Sequence, residues 1–179
     1  MAITTILAII AIALIAIVAI SPRTEDGAST ILGYEARIVE TDSMADNGSV
    51  DTSGFEIGSF DKDTLVVIER IPDGTSPVSK WYGDIEVGDV LTVRYTYNEQ
   101  ITITHRVTEI KAKEDGSGYV IKLMGDNGAS DASRLTQTID TSVTDGRHYV
   151  MGKVVWTNDT IGNIIGAAQR GIDAIVNGG

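Results

Sequence analysis

The groups able to do chemistry in this chain are oxygen and nitrogen nucleophiles, because its 179 residues include no cysteine and only two histidines. One histidine lies in Ile103-Thr104-His105-Arg106-Val107. Upstream stands Thr41-Asp42-Ser43-Met44, and downstream Gly125-Asp126-Asn127-Gly128-Ala129-Ser130-Asp131. A serine hydroxyl is a weak nucleophile at neutral pH until a base within hydrogen-bond reach takes its proton and a third group orients that base. A neutral imidazole, with an unperturbed pKa of about 6.5, suits the base. A carboxylate on its other nitrogen fixes the tautomer, and backbone N–H groups commonly receive the oxyanion. Ser43, His105 and either Asp126 or Asp131 are therefore candidates for nucleophilic catalysis, with the Ser43 N–H as candidate oxyanion donor. Taken singly, each has an ordinary reading: a surface hydroxyl, a structural histidine on a strand, an aspartate in a turn.

The remaining chemistry-bearing residues are less informative. His148, in Gly146-Arg147-His148-Tyr149, reads as a surface or structural residue. The run Asp46-Asn47-Gly48-Ser49-Val50-Asp51 is loop-like and lacks the terminal glutamate that a calcium loop places at fixed spacing. Asn47-Gly48-Ser49 and Asn158-Asp159-Thr160 fit the glycosylation pattern, which is frequent by chance. Trp81 and Tyr82 are expected to pack in the core rather than to meet lipid or substrate. Without cysteine there is neither a disulfide framework nor a thiolate metal site, and no cofactor is expected. The net charge of −11 disfavours nucleic acid as a partner, since most of the surface would repel it.

These residues need a scaffold. From Ile6 to Ile20 every side chain is apolar, and residues 1–5 add no charge. A span needs roughly 20 residues of low polarity, so residues 1–22 are expected to form a transmembrane anchor. A retained anchor is preferred to a cleaved signal peptide: no Lys or Arg precedes the apolar run, and Pro22 would follow a cut at Ala19-Ile20-Ser21. Residues 23–39 read as a linker and first strand, with a strand over 31–40. Residues 45–58, rich in Gly, Ser, Asp and Asn, read as a loop. Apolar β-branched runs at 65–68, 90–95, 101–110, 119–124 and 149–156 predict strands, with Asn98-Glu99 joining two of them as a hairpin. On the 101–110 strand, Ile101, Ile103, His105, Val107 and Glu109 are expected on one side. In the tail, Ile161, Ile164, Ile165, Ala168, Ile172, Ile175 and Val176 recur at helical spacing, with Asp159 or Thr160 as cap. This amphipathic tail over 158–179 is expected to pack on the domain, the alternative being the membrane surface. The fold class is mainly β, with one N-terminal transmembrane helix and one C-terminal amphipathic helix.

Six stretches together resemble the type I signal peptidases of the Ser–His kind, found in archaea, the endoplasmic reticulum and some Gram-positive bacteria. Asp42-Ser43-Met44 is similar to the family's nucleophile segment, and Gly58-Ser59-Phe60 with Leu65-Val66-Val67-Ile68 to the strand after it. Ile85-Glu86-Val87-Gly88-Asp89-Val90-Leu91 resembles the Gly-Asp-Val/Ile segment. Thr104-His105-Arg106-Val107 and Leu123-Met124-Gly125-Asp126-Asn127, with Asp131 beyond, are the most specific matches. Met151-Gly152-Lys153-Val154-Val155 is similar to the Gly-Lys-Val strand. The resemblance covers residues 40–156 and implies a signal-peptidase/LexA-like β domain over 40–157. It further implies Ser43 as nucleophile, His105 as general base, Asp131 as the partner of His105, and Asp126 in a structural or supporting role, though either aspartate fits the partner's place. The Ser–Lys variant is disfavoured, because a histidine box occupies the lysine's place. One departure is clear: Ser43-Met44-Ala45-Asp46 lacks the proline usual two residues after the methionine, and a long polar loop follows.

The activity this implies is removal of signal peptides from exported precursors by a single-pass cell-membrane enzyme. Its catalytic domain would lie on the extracytoplasmic side, and its partners would be precursor proteins and membrane lipid. That orientation follows from the implied function, since the basic residues that would specify it are nearly absent. Two alternatives stand beside it: a specialised peptidase for pilin-like or matrix precursors, and a non-catalytic, membrane-tethered β domain.

Overall fold

A computed structural model describes residues 30–71, 76–96, 100–128, 136–143 and 148–177. The expected anchor, most of the linker and Asp131 lie outside the described residues. No helix among the described residues is long and apolar enough to cross a membrane.

The described chain is mainly β, an antiparallel sheet with two helices. Its strands are β1 (Thr30–Ile31), β2 (Tyr34–Ile38), β3 (Leu65–Arg70), β4 (Val90–Thr96), β5 (Gln100–Ala112), β6 (Tyr119–Met124), β7 (Gln137–Asp140) and β8 (His148–Asn158). The helices are α1 (Lys80–Gly83) and α2 (Asp159–Asn177). In space the strands run β1-β2-β3-β8-β4-β5-β6-β7. The last long strand thus inserts between β3 and β4 and joins the chain's two halves into one sheet.

Alternation along each strand gives the sheet two apolar faces. Leu91, Val93, Val107, Ile121, Leu123, Ile139 and Val150 form one core with Tyr82 and Ile85. Val66, Ile68, Val90 and Val154 form the other, closed by Met44, Ile57 and Phe60 from the segment before β3. Tyr82 is thus a core residue and Trp81 packs beside it, as expected.

Three local expectations are corrected. The strand expected over 31–40 is a hairpin, because Leu32 and Gly33 take φ of +53° and +87° and reverse the chain between β1 and β2. The single-sided pattern expected to run through Glu109 stops early. The β5–β6 register slips between Val107 and Glu109, and such a bulge breaks the period of two.

The third concerns the tail. Helix α2 is capped by Asn158, whose Oδ1 accepts from the Ile161 N–H at 2.8 Å, not by Asp159 or Thr160. Asp159 instead receives the Thr64 hydroxyl at 2.7 Å. Gly162 and Gly166 are the residues that α2 buries in its first turns, whereas Ile161 and Ile164 stay 43% and 65% exposed. At Gly162 a Cβ would stand 2.1 Å from the Asp63 carbonyl oxygen, so the helix approaches the chain just before β3 closely enough to exclude any side chain there. An ion pair from Arg170 to Asp63 at 2.7 Å secures the same contact.

Candidate functional site

His105 and Arg106 are consecutive on β5 and project to opposite faces of the sheet. Both are 3% exposed. His105 lies opposite Leu91 of β4, on the face of the first core. Arg106 lies opposite Val90, on the face of the second.

The Arg106 guanidinium organises its surroundings. Its Nε donates to Asp126 Oδ1 at 2.9 Å, and Nη2 to Asp126 Oδ2 at 2.6 Å. Nη1 donates to the carbonyls of Ile57 and Gly88 at 2.9 and 2.7 Å, and Nη2 also to that of Gly58 at 3.3 Å. A guanidinium has five N–H donors, and these bonds occupy all of them. The Phe55 ring stacks on it, 5.0 Å from guanidinium carbon to ring centre. Gly88, at φ +103°, permits that stacking, since a Cβ there would meet the Phe55 ring at 2.3 Å. Residues 55–58, the end of the polar stretch, therefore cover Arg106.

Asp126 is correspondingly committed. Both carboxylate oxygens bind Arg106, and Oδ2 also accepts the Ser59 hydroxyl at 2.8 Å. Among the described residues it makes no hydrogen bond to His105. Its charge still acts on the imidazole, favouring protonation, but burial outweighs that and holds His105 below the usual histidine pKa. The ring is thus neutral at pH 7.

What His105 does contact is Gln137, the first residue of β7. His105 Nδ1 and Gln137 Oε1 are 2.6 Å apart. With the amide oxygen accepting, the proton sits on Nδ1 and leaves the Nε2 lone pair available. Gln137 is itself buried, at 8% exposure.

Ser43 lies in a turn closed by a hydrogen bond from Ala45 N–H to the Asp42 carbonyl at 3.1 Å. Met44, fully buried, pins that turn into the second core. Asn127 clamps it: its backbone N–H donates to the Ser43 carbonyl at 3.0 Å, and its side-chain amide donates to the Asp42 carbonyl at 2.9 Å. The Asn127 Oδ1 accepts from Asn47 at 2.9 Å, which ties the following loop to the same point. Ser43 Oγ is half-buried and accepts the Thr41 hydroxyl at 3.2 Å. Among the described residues Ser43 Oγ makes no hydrogen bond to His105, and the Ser43 N–H donates none.

Residues 42–44, 105–106 and 125–127, far apart in sequence, are therefore linked by direct contacts. Arg106 joins β5 to Asp126, and Asn127 joins the same segment to Ser43. Asn127, Ser59 and Arg106 stand inside the stretches that carry the resemblance, although that resemblance implies roles only for Ser43, His105, Asp126 and Asp131. Gln137 had no sequence signal. Among the described residues no group of three or more His, Asp or Glu side chains is arranged to hold a metal. The chain matches no known family profile, and no curated protein matches it.

Proposed function

We propose that this chain is a membrane-anchored serine endopeptidase with Ser43 as nucleophile and His105 as general base, acting on the signal peptides of exported precursors. The observation that carries the reading is the junction just described. The Ser43 turn is held by Asn127, next to an aspartate bound to the neighbour of a buried, neutral histidine.

The chemistry follows from those groups. His105 Nε2 takes the Ser43 Oγ proton as Oγ bonds to the peptide carbonyl carbon, and the carbonyl π pair moves onto oxygen. The Ser43 N–H, which has no partner among the described residues, is suited to that oxyanion. Collapse breaks the C–N bond, the amine leaves with the proton from Nε2, and water attacks the acyl-enzyme with His105 again as base. The reading requires Ser43 Oγ to come within reach of Nε2 once substrate is in place, and catalytic hydrogen bonds of this kind commonly tighten only in the complex. The substrate would lie extended along an edge of the sheet. Strand addition of this sort draws affinity from the main chain. The apolar N-terminal segment would hold the site at the membrane surface, outside the cytoplasm, and a signal-peptidase-like β domain would be the unit it anchors.

The unmade Ser43–His105 hydrogen bond favours a second reading, a non-catalytic membrane-tethered β domain. Cleavage of a generic preprotein by the full chain in detergent decides between them. Wild-type cleavage, lost by several orders of magnitude in both Ser43→Ala and His105→Ala, supports the peptidase. Comparable cleavage by Ser43→Ala overturns it.

A further inference from the structure

We propose that Gln137 is the positioning residue of His105, a neutral amide in the place where a Ser–His–Asp arrangement puts a carboxylate. This deepens the peptidase reading above and rests on it.

The geometry singles out Gln137. Its Oε1 stands 2.6 Å from His105 Nδ1. A carbonyl oxygen can only accept, so the contact holds the proton on Nδ1 and directs the Nε2 lone pair away from the sheet partner. The support is rigid. Gln137 pairs with Leu123 of β6, and Leu123 pairs with Val107 of β5, the next residue after His105 on the same face. Three hydrogen-bonded strands thus fix the two side chains relative to one another.

Among the described residues, the charged alternative to Gln137 is otherwise engaged. Asp126, the carboxylate whose field reaches the imidazole, spends both oxygens on Arg106 and Ser59. Arg106 projects to the opposite face, and the residue opposite His105 on β4 is the apolar Leu91. Gln137 fixes the tautomer without adding charge. When Nε2 takes the Ser43 proton, the new imidazolium keeps its Nδ1–H bond to the amide oxygen and gains no ion pair from it. The base therefore remains unprotonated to lower pH than one backed by a carboxylate.

The test uses the full chain in detergent, a preprotein substrate, and kcat and KM measured across pH for wild type, Gln137→Ala, Gln137→Glu and Asp131→Asn. Ring ¹⁵N NMR reports the His105 tautomer, with His148→Ala leaving a single histidine to observe. Gln137→Ala is expected to lower kcat about 10- to 100-fold, the weight of one hydrogen bond to a group that becomes charged, with KM little changed. Gln137→Glu, nearly isosteric, is expected to keep most of the rate at neutral pH and to move the acid limb to higher pH. Wild-type His105 is expected to carry its proton on Nδ1 and to lose that preference in Gln137→Ala. If Gln137→Ala does not fold, the acid limb of Gln137→Glu decides alone. Wild-type rates and an unmoved acid limb in the Gln137 variants overturn the inference. So does a wild-type ring protonated on Nε2. Loss of rate in Asp131→Asn with Gln137→Ala unaffected overturns it in favour of Asp131 and leaves the peptidase reading standing. A wild type that cleaves nothing overturns the peptidase reading itself.

Discussion

Around His105 and Arg106, adjacent residues take opposite electrostatic solutions. Arg106 is buried as a charge because its carboxylate and three carbonyls replace the water it loses. His105 is buried as a neutral ring because one amide oxygen is enough for it. Removing one partner of a buried pair leaves the other uncompensated, so Asp126→Ala should cost about 3–5 kcal/mol in urea unfolding. Arg106→Met should cost at least as much, since the carbonyls of Ile57, Gly58 and Gly88 lose their donor too. A much smaller loss in either variant would show that the site holds together by other means. His105 also sets a pH dependence. Burial lowers its folded pKa below 6.5, so the unfolded chain takes up this proton first as pH falls. That part of the stability is whole above about pH 6.5 and declines below it, down to the folded pKa. For the proposed activity, kcat/KM should show an acid limb with its midpoint below 6.5, and a midpoint at or above that value would contradict the buried, neutral ring. Ser43, His105 and Asp126 were legible as residues because they stand in compact local patterns. Gln137, in Thr136-Gln137-Thr138, is indistinguishable from any polar strand residue until strand register sets it against an imidazole.

Element by element, legibility followed how much of an element's environment is local. Strands β3 to β6 and β8 announce themselves as short runs rich in apolar and β-branched residues, a local signal that does not depend on which strand lies alongside. The β1–β2 hairpin does not, since its turn places Leu32 in the left-handed region, a conformation that apolar residues seldom adopt. Helix α2 was legible as a helix, but the residues that its first turns bury were not. Apolar periodicity pointed to the isoleucines, yet in the first turns the seam is glycine, because close backbone approach to Asp63–Leu65 needs the absence of a side chain more than the presence of a large one. Gly162→Ala should therefore destabilise the fold by about 1–3 kcal/mol through overpacking, read as a lower Tm, with faster amide exchange over 161–166. An unchanged Tm and unchanged exchange would mean that α2 is not seated by this contact. Had the isoleucine face been the seam, Ile164→Ala would be the costlier change of the two.

Across the whole molecule the acidity has a structural component. Hydrogen bonds and charge from Lys111 and Lys122 bring Glu109 down to about 2. Asp140, Asp115 and Asp51 are lowered chiefly by hydrogen bonds from Ser142, Ser117 and Ser53. A carboxylate whose folded pKa lies below its unfolded value contributes stability that is present above the unfolded pKa and lost as pH falls toward the folded one. Unfolding followed by circular dichroism should thus show stability eroding in two stages on acidification, first from about pH 6.5 through His105 and then between about 4.5 and 2 through the carboxylates. A stability constant down to pH 4 would contradict the His105 part. The proposed anchor makes a separate prediction at this scale. The full chain should partition into membranes, and a chain lacking residues 1–22 should not; equal partitioning of the two would remove the anchor from the reading.

By itself, the sequence determined the mainly β architecture, the apolar N-terminal run, the absence of thiol chemistry and the short boxes in which Ser43, His105 and Asp126 stand. All of these depend on residue type and on periodicity between near neighbours. Only the tertiary structure decided the contacts of those residues: Asp126 on Arg106 and Ser59, Asn127 on the Ser43 turn, Gln137 on His105, and glycines rather than isoleucines against Asp63. Each of these pairs is separated by many residues along the chain. Which of them meet is set by strand order, register and the space left between packed backbones, and none of those quantities can be read from one segment alone.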